Sequence, residues 1–223
     1  MQELDSECRT VLSGRIRRFS FLSDDVEVYL LSTSQLSIED FERLLPEAML
    51  VDARERYKSE TRRFEFLATR LLLRVVLGSG VEIAYHPTGR PYLRGNVCLN
   101  ISVSHTDGYV AIALSVQRVG LDIEPVSSRQ LRLRERFMAP TEWEQATQFA
   151  SPEVVASIGW SAKEALYKLI DVPGTDLLDG LVCEWCSAQV LRDVQRGNEV
   201  LIRMCGDLVV AVAYEKWDSS SRG

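Results

Sequence analysis

The chain has 223 residues, of which 46% are hydrophobic and 26% charged, and its formal net charge is −6. This composition is that of an ordinary folded protein, and its apolar runs are far shorter than the ~20 residues that cross a bilayer. The negative charge argues against nucleic-acid binding, which requires a basic surface. Because the first residues contain no apolar signal segment, we expect a cytoplasmic protein without a membrane partner.

The first half of the chain predicts strands around a long helix. An alternating, β-branched segment at 26–32 predicts a strand, and 37–50 predicts a short helix interrupted near Pro46. Apolar residues at helical spacing predict a long amphipathic helix over 59–77. Four further strands, separated by loops rich in glycine and proline, are expected to form one small antiparallel sheet: 81–85, 98–104, 109–115 and 119–123.

After Pro125 the pattern becomes helical. Segment 127–137 predicts a helix, and Thr141 followed three residues later by Glu144 has the spacing of a capping box that would begin the next one. A serine before Pro152 predicts the start of a third helix.

Strands are expected again from 181 to 215, and the Ser-rich segment 218–223 is predicted to be a disordered tail. Segment 206–213 faintly resembles 107–114, which suggests an internal repeat. The order of elements predicts an α+β fold of two halves, 1–124 and 125–217.

The cysteines do not predict a metal or redox site. Five are scattered along the chain, an odd number that is poor material for a disulfide framework. Cys183 and Cys186 form a CxxC pair, but zinc requires four ligands and neither His86 nor His105 is near them in sequence. We therefore expect reduced thiols, with this pair in a strand.

Two acidic residues end a predicted strand. Asp122 and Glu124 flank Ile123, so their carboxylates point to the same face of the sheet. Carboxylate oxygens suit a hard ion such as Mg²⁺, which keeps coordination positions for phosphate oxygens. Paired acids at strand ends are also commonly solvated, so the pair alone leaves both interpretations open.

An acidic residue and a lysine lie together on the helix predicted to start near Pro152. Glu164 and Lys168 are four residues apart and share a helix face. They could form a surface ion pair that contributes little to stability. Alternatively, they could supply a third metal carboxylate and a lysine that reaches a phosphate. The spacing does not distinguish these two interpretations.

Other candidate residues are basic or polar. His105 follows Ser104 where a predicted strand enters a turn, a place from which side chains often reach ligands. No serine has the surroundings of a hydrolase nucleophile elbow, so a hydrolytic triad is set aside. Arg63, Arg70 and Arg74 share a helix face that could hold phosphate or could be a solvated surface.

Six segments, taken in order, resemble the 4'-phosphopantetheinyl transferases of the type that activates surfactin synthetase. They are RRFEFLATRLLLR at 62–74, TGRP at 88–91, NISVSHTDGYVAIAL at 100–114, VGLDIEP at 119–125, RFMAPTEWE at 136–144 and WSAKEALYK at 160–168. Their order and separations carry the resemblance, because any one of them could arise by chance.

The resemblance implies a monomer of two similar α+β halves related by a pseudo-twofold axis, with coenzyme A as co-substrate. It implies transfer of 4'-phosphopantetheine from coenzyme A to a serine of an apo acyl or peptidyl carrier protein, with release of adenosine 3',5'-bisphosphate. Such carriers serve fatty-acid, polyketide or nonribosomal-peptide biosynthesis. The metal would be Mg²⁺, with Mn²⁺ as an alternative.

Site residues follow from the same resemblance. Asp122, Glu124 and Glu164 would hold the metal, and Lys168 would contact the phosphate and protonate the leaving group. Two acidic residues match positions suited to the base that accepts the serine proton, Glu164 and Glu142, of which Glu164 is preferred.

Coenzyme A would be held by residues of the first half. Ser104 and His105 match a Ser-His pair that contacts the nucleotide phosphates, and Arg63, Arg70 and Arg90 fall where basic residues hold coenzyme A. Arg90 replaces the usual lysine, which keeps the charge but changes its geometry.

Two other functions remain open. A magnesium-dependent nucleotide phosphohydrolase would use the same acids with water as the nucleophile. A non-catalytic module could bind carrier proteins without transferring anything, although the intact set of three acids and one lysine argues against it.

Overall fold

A computed structural model describes residues 2–21 and 25–215. The described residues divide into two compact units, one ending at Leu114 and one beginning at Ser115. The sequence placed the boundary after residue 124, whereas the structure assigns 115–124 to the second unit, because the strand in this segment pairs with a strand near the C-terminus. The predicted disordered tail, 218–223, lies outside the described residues.

The first unit combines helices with a sheet and a hairpin. Its helices are α1 (Gln2–Val11), α2 (Ile38–Leu44), α3 (Glu47–Arg56) and α4 (Glu60–Leu77). Its strands are β1 (Ile16–Phe21), β2 (Val26–Ser32), β3 (Glu82–Tyr85), β4 (Pro91–Arg94), β5 (Asn100–Thr106) and β6 (Tyr109–Ser115). Strands β1, β2, β6 and β5 lie in this order in one sheet, and β3 pairs with β4 in a separate antiparallel hairpin.

Helix α4 organises the core of the first unit and confirms the predicted long helix. The hydroxyl of Ser59 accepts a hydrogen bond from a backbone N–H of the first turn, and Gly78 ends the helix at φ 84°, a conformation that favours glycine. The apolar face of α4, represented by Leu71, is buried with Phe41 of α2 and Ile112 of β6. Burial of this face fixes α4 against the sheet.

The second unit packs its helices on one antiparallel sheet. The helical segments are α5 (Ser128–Leu133), a 3₁₀ turn (Arg134–Arg136), α6 (Pro140–Ala146) and α7 (Pro152–Ile170). The strands are β7 (Val119–Pro125), β8 (Cys183–Ser187), β9 (Val190–Asp193), β10 (Glu199–Cys205) and β11 (Leu208–Tyr214). Their order in the sheet is β7, β11, β10, β9, β8, and each neighbouring pair is antiparallel.

Helix α7 approaches strand β7 unusually closely. A Cβ atom on Gly120 would lie 1.9 Å from the carbonyl oxygen of Ala165, so only glycine allows this contact. The helix begins after Ser151 with Pro152 in its first turn, as predicted, and ends at Asp171 in a left-handed conformation with φ 56°. The close approach brings the middle of α7 next to the acidic end of β7.

Several sequence predictions of local structure are wrong. The four strands expected to form one sheet are divided among three sheets: β3 is in the hairpin, β5 and β6 are in the first unit's sheet, and β7 is in the second unit's sheet. The helix predicted over 127–137 changes after Leu133 into a 3₁₀ turn. Helix α1 and strands β1 and β4 were not predicted from the sequence. Strand pairing over long separations has no local signal, which explains the error in the sheets.

The start of α6 also differs from its prediction. The helix begins at Pro140 rather than at Thr141, and the acid that closes its first turn is Glu142 rather than Glu144. The Glu142 carboxylate accepts a hydrogen bond of 2.7 Å from the backbone N–H of Ala139. Because alanine has no side-chain acceptor, the predicted serine/threonine-type capping box is replaced by this single contact.

The α+β class with antiparallel sheets is confirmed. The two segments that resemble each other both contain a turn that enters a strand, with Gly108 at φ 75° before β6 and Gly206 at φ 65° before β11. The pseudo-twofold axis stays a prediction. Within the described ranges, no helix has the length and apolar character that crossing a membrane demands.

Candidate active site

Strand β7 presents the two predicted acids on one face of the second unit's sheet. Asp122 lies opposite Ala211 of β11, and Glu124 lies opposite Val209. Asp122 is only 7% exposed. Since alternate residues of a strand point to the same face, the geometry confirms that both carboxylates share a side.

Two side chains of α7 hold the Asp122 carboxylate. Ser161 donates a hydrogen bond of 2.7 Å to Oδ2, and Lys168 Nζ donates one of 2.9 Å to Oδ1. Lys168 also donates a hydrogen bond of 2.8 Å to the carbonyl oxygen of Leu121. The Lys168 side chain remains 29% exposed, so its ammonium group is anchored and still accessible to a ligand.

Glu124 is partly buried and has unused acceptor capacity. Among the described residues, only the side-chain amide of Gln130 donates a hydrogen bond to it, at Oε1. Burial raises the pKa of Glu124, and the negative charges of Asp122 and Glu164 raise it further, while Arg129 and the Gln130 hydrogen bond lower it. The other carboxylate oxygen, Oε2, is therefore the one available to a ligand.

Glu164 has the least satisfied carboxylate of the cluster. It is partly buried, and within the described part of the chain no donor bonds to it and no cation forms an ion pair with it. Burial raises the pKa of Glu164, as does the charge of Asp122, while Lys168 lowers it. The charge of Asp122 raises the pKa of both Glu124 and Glu164, which is consistent with a position of all three carboxylates in one neighbourhood.

The chemistry of this acidic cluster, defined as Asp122, Glu124, Glu164 and Lys168, suits a divalent cation. Three carboxylates and one ammonium group leave a formal excess of two negative charges (3 − 1 = 2). Carboxylate oxygens are the ligands that Mg²⁺ prefers. In the residues that the structure describes, no three acidic, histidine or cysteine side chains already form a group that could hold a metal ion.

Glu142 has a different environment, which argues against the catalytic role that the sequence analysis gave it. It is 2% exposed, and Lys163, itself 1% exposed, donates a hydrogen bond of 2.8 Å to its Oε2. Backbone N–H groups of Ala139 and Cys183 each donate another, both at 2.7 Å. A carboxylate with three donors and no access to solvent holds α6, α7 and β8 together and cannot accept a substrate proton.

In the first unit, the Ser-His pair lies at the end of β5. Ser104 is 4% exposed. The His105 ring contacts α4, with Nδ1 3.3 Å from the carboxylate of Glu65 and Nε2 3.2 Å from the guanidinium of Arg62. Glu65 and Arg62 were not predicted as site residues, although both lie within the segment at 62–74 that carried the resemblance.

A cavity of about 530 Å³ in the first unit is lined by arginines of α3, α4 and β4: Arg56, Arg70, Arg74 and Arg94. Arg70 is 8% exposed and stacks on the ring of Phe66 at 3.3 Å. Its hydrogen bonds, to the carbonyl of Phe66 and the hydroxyl of Tyr85, are both 3.5 Å long. No carboxylate among the described residues pairs with Arg70, so its buried charge can still bind an anion.

The predicted arginine stripe is divided between two cavities. Arg63 lines a different cavity of about 550 Å³ between α2, α3 and α4, whereas Arg70 and Arg74 line the cavity with Arg56. Arg90 lies in the β3–β4 loop, where its carbonyl oxygen accepts a hydrogen bond of 2.9 Å from the N–H of His86. Arg63 and Arg70 therefore line different cavities.

Two residues around the acidic cluster, Ser161 and Gln130, were not predicted from the sequence. Ser161 is fully buried and lies three residues before Glu164, so helical spacing could have identified it. Gln130 is 5% exposed and contacts Glu124 from α5. Nothing in the local pattern distinguishes Gln130 from its neighbours, because its contact depends on how α5 packs beside β7.

Comparison with known proteins gives three matches. Residues 118–213 match the model of the 4'-phosphopantetheinyl transferase superfamily. A stretch of 93 residues is 25% identical to a 4'-phosphopantetheinyl transferase of Bacillus subtilis, and covers 40% of this chain and 41% of that protein. A stretch of 110 residues is 29% identical to the 4'-phosphopantetheinyl transferase gsp of Aneurinibacillus migulanus, and covers 48% of this chain and 46% of that protein.

The aligned part thus spans less than half the length of either relative. These matches confirm the resemblance drawn from the sequence. The whole acidic cluster and the buried pair of Glu142 and Lys163 fall inside residues 118–213.

Proposed function

We propose that this chain, whose second unit matches the 4'-phosphopantetheinyl transferase superfamily, transfers 4'-phosphopantetheine from coenzyme A to a serine of an apo carrier protein. The reaction would depend on Mg²⁺ and would release adenosine 3',5'-bisphosphate. The predicted monomeric state, cytoplasmic location and pseudo-twofold arrangement of similar halves stay predictions.

The observation that carries the proposal is the unsatisfied carboxylate of Glu164 beside two other acids. A partly buried carboxylate with no donor, next to two like charges, destabilises the folded protein unless a cation joins it. Asp122, Glu124 and Glu164 would hold Mg²⁺. Bound there, the metal would neutralise charge on the diphosphate of coenzyme A.

The remaining steps use side chains of α7. Lys168 is anchored by Asp122 and partly exposed, so it can contact a phosphate oxygen and donate a proton to the leaving group. Glu164 is the preferred base for the carrier serine, because its raised pKa makes the ionised carboxylate more basic. Glu142 is no longer a candidate, since its carboxylate is enclosed.

The first unit supplies candidate contacts to the anionic part of coenzyme A. Arg70, with no carboxylate partner among the described residues, suits a phosphate group, which guanidinium groups bind in a bidentate manner. Ser104, His105, Arg63 and Arg90 keep the roles that the resemblance implies as proposals.

The test is a transfer assay read by mass spectrometry. The protein is incubated with coenzyme A, Mg²⁺ and a panel of apo acyl and peptidyl carrier proteins, and each carrier is then weighed. A mass increase of one phosphopantetheine group that requires Mg²⁺ supports the proposal. Glu164→Gln should abolish the increase, whereas Glu153→Gln, an exposed change in the first turn of the same helix, should not.

The same assay separates the other two functions. A phosphohydrolase would release phosphopantetheine from coenzyme A at the same rate with and without carrier. A binding module would retain carriers without changing their mass. Unmodified carriers across the whole panel would count against transfer.

A further inference from the structure

Glu124 is oriented by a short chain of hydrogen bonds that no motif of the sequence marks. Gln130 donates its side-chain amide N–H to Glu124 Oε1, and the hydroxyl of Ser127 donates to Gln130 Oε1. Because the serine bonds to the amide oxygen, the amide nitrogen must face the glutamate. The direction of this amide is thus fixed by its two neighbours.

The chain of hydrogen bonds is anchored on the helix that carries Glu164. The backbone N–H of Ser127 donates a hydrogen bond of 3.2 Å to the hydroxyl of Ser157, which is fully buried in α7. Ser161, one turn further along the same helix, donates to Asp122. Helix α7 therefore positions both strand acids while presenting its own glutamate beside them.

We infer that Gln130 is a positioning residue that holds Glu124 Oε1 so that Oε2 is presented to the divalent cation. This inference rests on the proposed function. Outer residues that fix a metal-ligating carboxylate raise metal affinity, because the ligand no longer has to be ordered on binding.

Because the side chain of Gln130 is neutral, it orients Glu124 without changing the net charge of the acidic cluster. Asp122 is bonded to the ammonium group of Lys168, which neutralises part of its charge, whereas the neutral amide of Gln130 orients Glu124 without placing a positive charge beside it. A lysine or arginine at position 130 would compete with the metal. Gln130 is 5% exposed, so water does not replace its hydrogen bond easily.

The experiment measures Mn²⁺ binding directly, by electron paramagnetic resonance of the free ion. The full chain is titrated in the presence of coenzyme A and without carrier protein, so no turnover occurs, and coenzyme A alone serves as the blank. Gln130→Leu should weaken Mn²⁺ binding by about tenfold to a hundredfold. The Mg²⁺ concentration for half-maximal transfer should rise by the same factor.

Two further variants make the result specific. Gln148→Leu, the same chemical change at an exposed position of the second unit, should leave Mn²⁺ affinity at the wild-type value. Ser127→Ala keeps Gln130 but frees its amide, and should weaken binding by a smaller factor than Gln130→Leu. If Gln130→Leu does not fold, as judged by circular dichroism and unfolding in EDTA, Ser127→Ala carries the test.

The outcomes separate this inference from the proposed function. Wild-type protein that binds Mn²⁺, together with variants within twofold of its affinity, would overturn the role of Gln130 alone. Wild-type protein that binds no Mn²⁺ beyond the coenzyme A blank would overturn both the metal site and the positioning role.

Discussion

Two lysines of α7, five positions apart, have opposite environments. Lys163 is 1% exposed and bonds to Glu142, whose remaining hydrogen-bonding capacity is filled by two backbone N–H groups. Lys168 is 29% exposed on its side chain and bonds to Asp122, beside two further carboxylates that keep free acceptor positions. Each lysine is paired with one acid, yet only the second pair can take part in chemistry.

The difference shows that satisfaction of hydrogen bonds, rather than residue type, separates a structural ion pair from a candidate site. The Glu142 pair is closed, because the carboxylate accepts three hydrogen bonds and both side chains are almost fully shielded from solvent. The acidic cluster is open, because it retains two excess negative charges and unbonded carboxylate oxygens. An open cluster of like charges costs stability, and such clusters are typical of functional sites.

The largest expected effect comes from breaking the closed pair. Lys163→Met leaves the buried carboxylate of Glu142 without its cation, and we expect the free energy of unfolding to fall by about 3–5 kcal/mol. Chemical denaturation followed by circular dichroism measures this change. The double variant Lys163→Met/Glu142→Gln should be more stable than Lys163→Met alone, because it buries no unpaired charge.

A loss below about 1 kcal/mol in Lys163→Met, the range of an exposed ion pair, would contradict the structural role of this pair.

The same substitution in the open cluster, Lys168→Met, should have a small effect on stability and a large effect on the transfer rate. Lys168→Met should lower the free energy of unfolding by only about 1 kcal/mol, because the lysine is partly exposed. The transfer rate should fall by about a hundredfold or more, which is the usual contribution of a positioned proton donor. Carrier mass spectrometry over time measures the rate, and a near-normal rate would remove Lys168 from the site.

Local periodicity predicted which residues of the open cluster share a face, but not that the two faces meet. Alternation along a strand placed Asp122 and Glu124 on one face, and helical spacing placed Glu164 and Lys168 on another. Only the close packing of α7 on Gly120 brings these two faces together, and no local pattern contains that contact.

The closed pair could not be predicted in the same way. Glu142 bonds to Lys163 and to the N–H of Cys183, which are 21 and 41 residues away. In the sequence, Glu142 therefore looked like an available acid. The missed role of Gln130 and the division of the arginine stripe between two cavities have the same cause, since both depend on packing between distant segments.

The open cluster should also give a distinctive dependence of stability on pH. Because burial raises the pKa of Glu164 in the folded protein, the folded state keeps a proton that the unfolded state has already released as pH rises past the ordinary carboxyl pKa. The contribution of Glu164 to stability is thus present at low pH and is lost as pH rises through the raised pKa.

Glu164→Gln should remove this dependence. In EDTA, the stability of the variant relative to wild type should increase from pH 4 to pH 7, as measured by urea unfolding at each pH. Glu153→Gln, whose carboxylate is exposed on the same helix, should track wild type. If the free energy of unfolding of Glu164→Gln differs from that of wild type by a constant amount over this range, the pKa of Glu164 is not raised in the folded protein.

The smallest effect concerns a thiol beside the closed pair. Cys183 is 2% exposed, and burial raises its pKa to about 12, whereas Cys186 on the same strand is exposed. Because thiolates are the reactive form, iodoacetamide at neutral pH should modify Cys186 and leave Cys183 unmodified in the folded protein. Peptide mass spectrometry measures both sites, and Lys163→Met should increase modification of Cys183, because loosening the Glu142 pair also frees the backbone of β8. Equal modification of Cys183 and Cys186 in the wild-type protein would contradict the burial of Cys183.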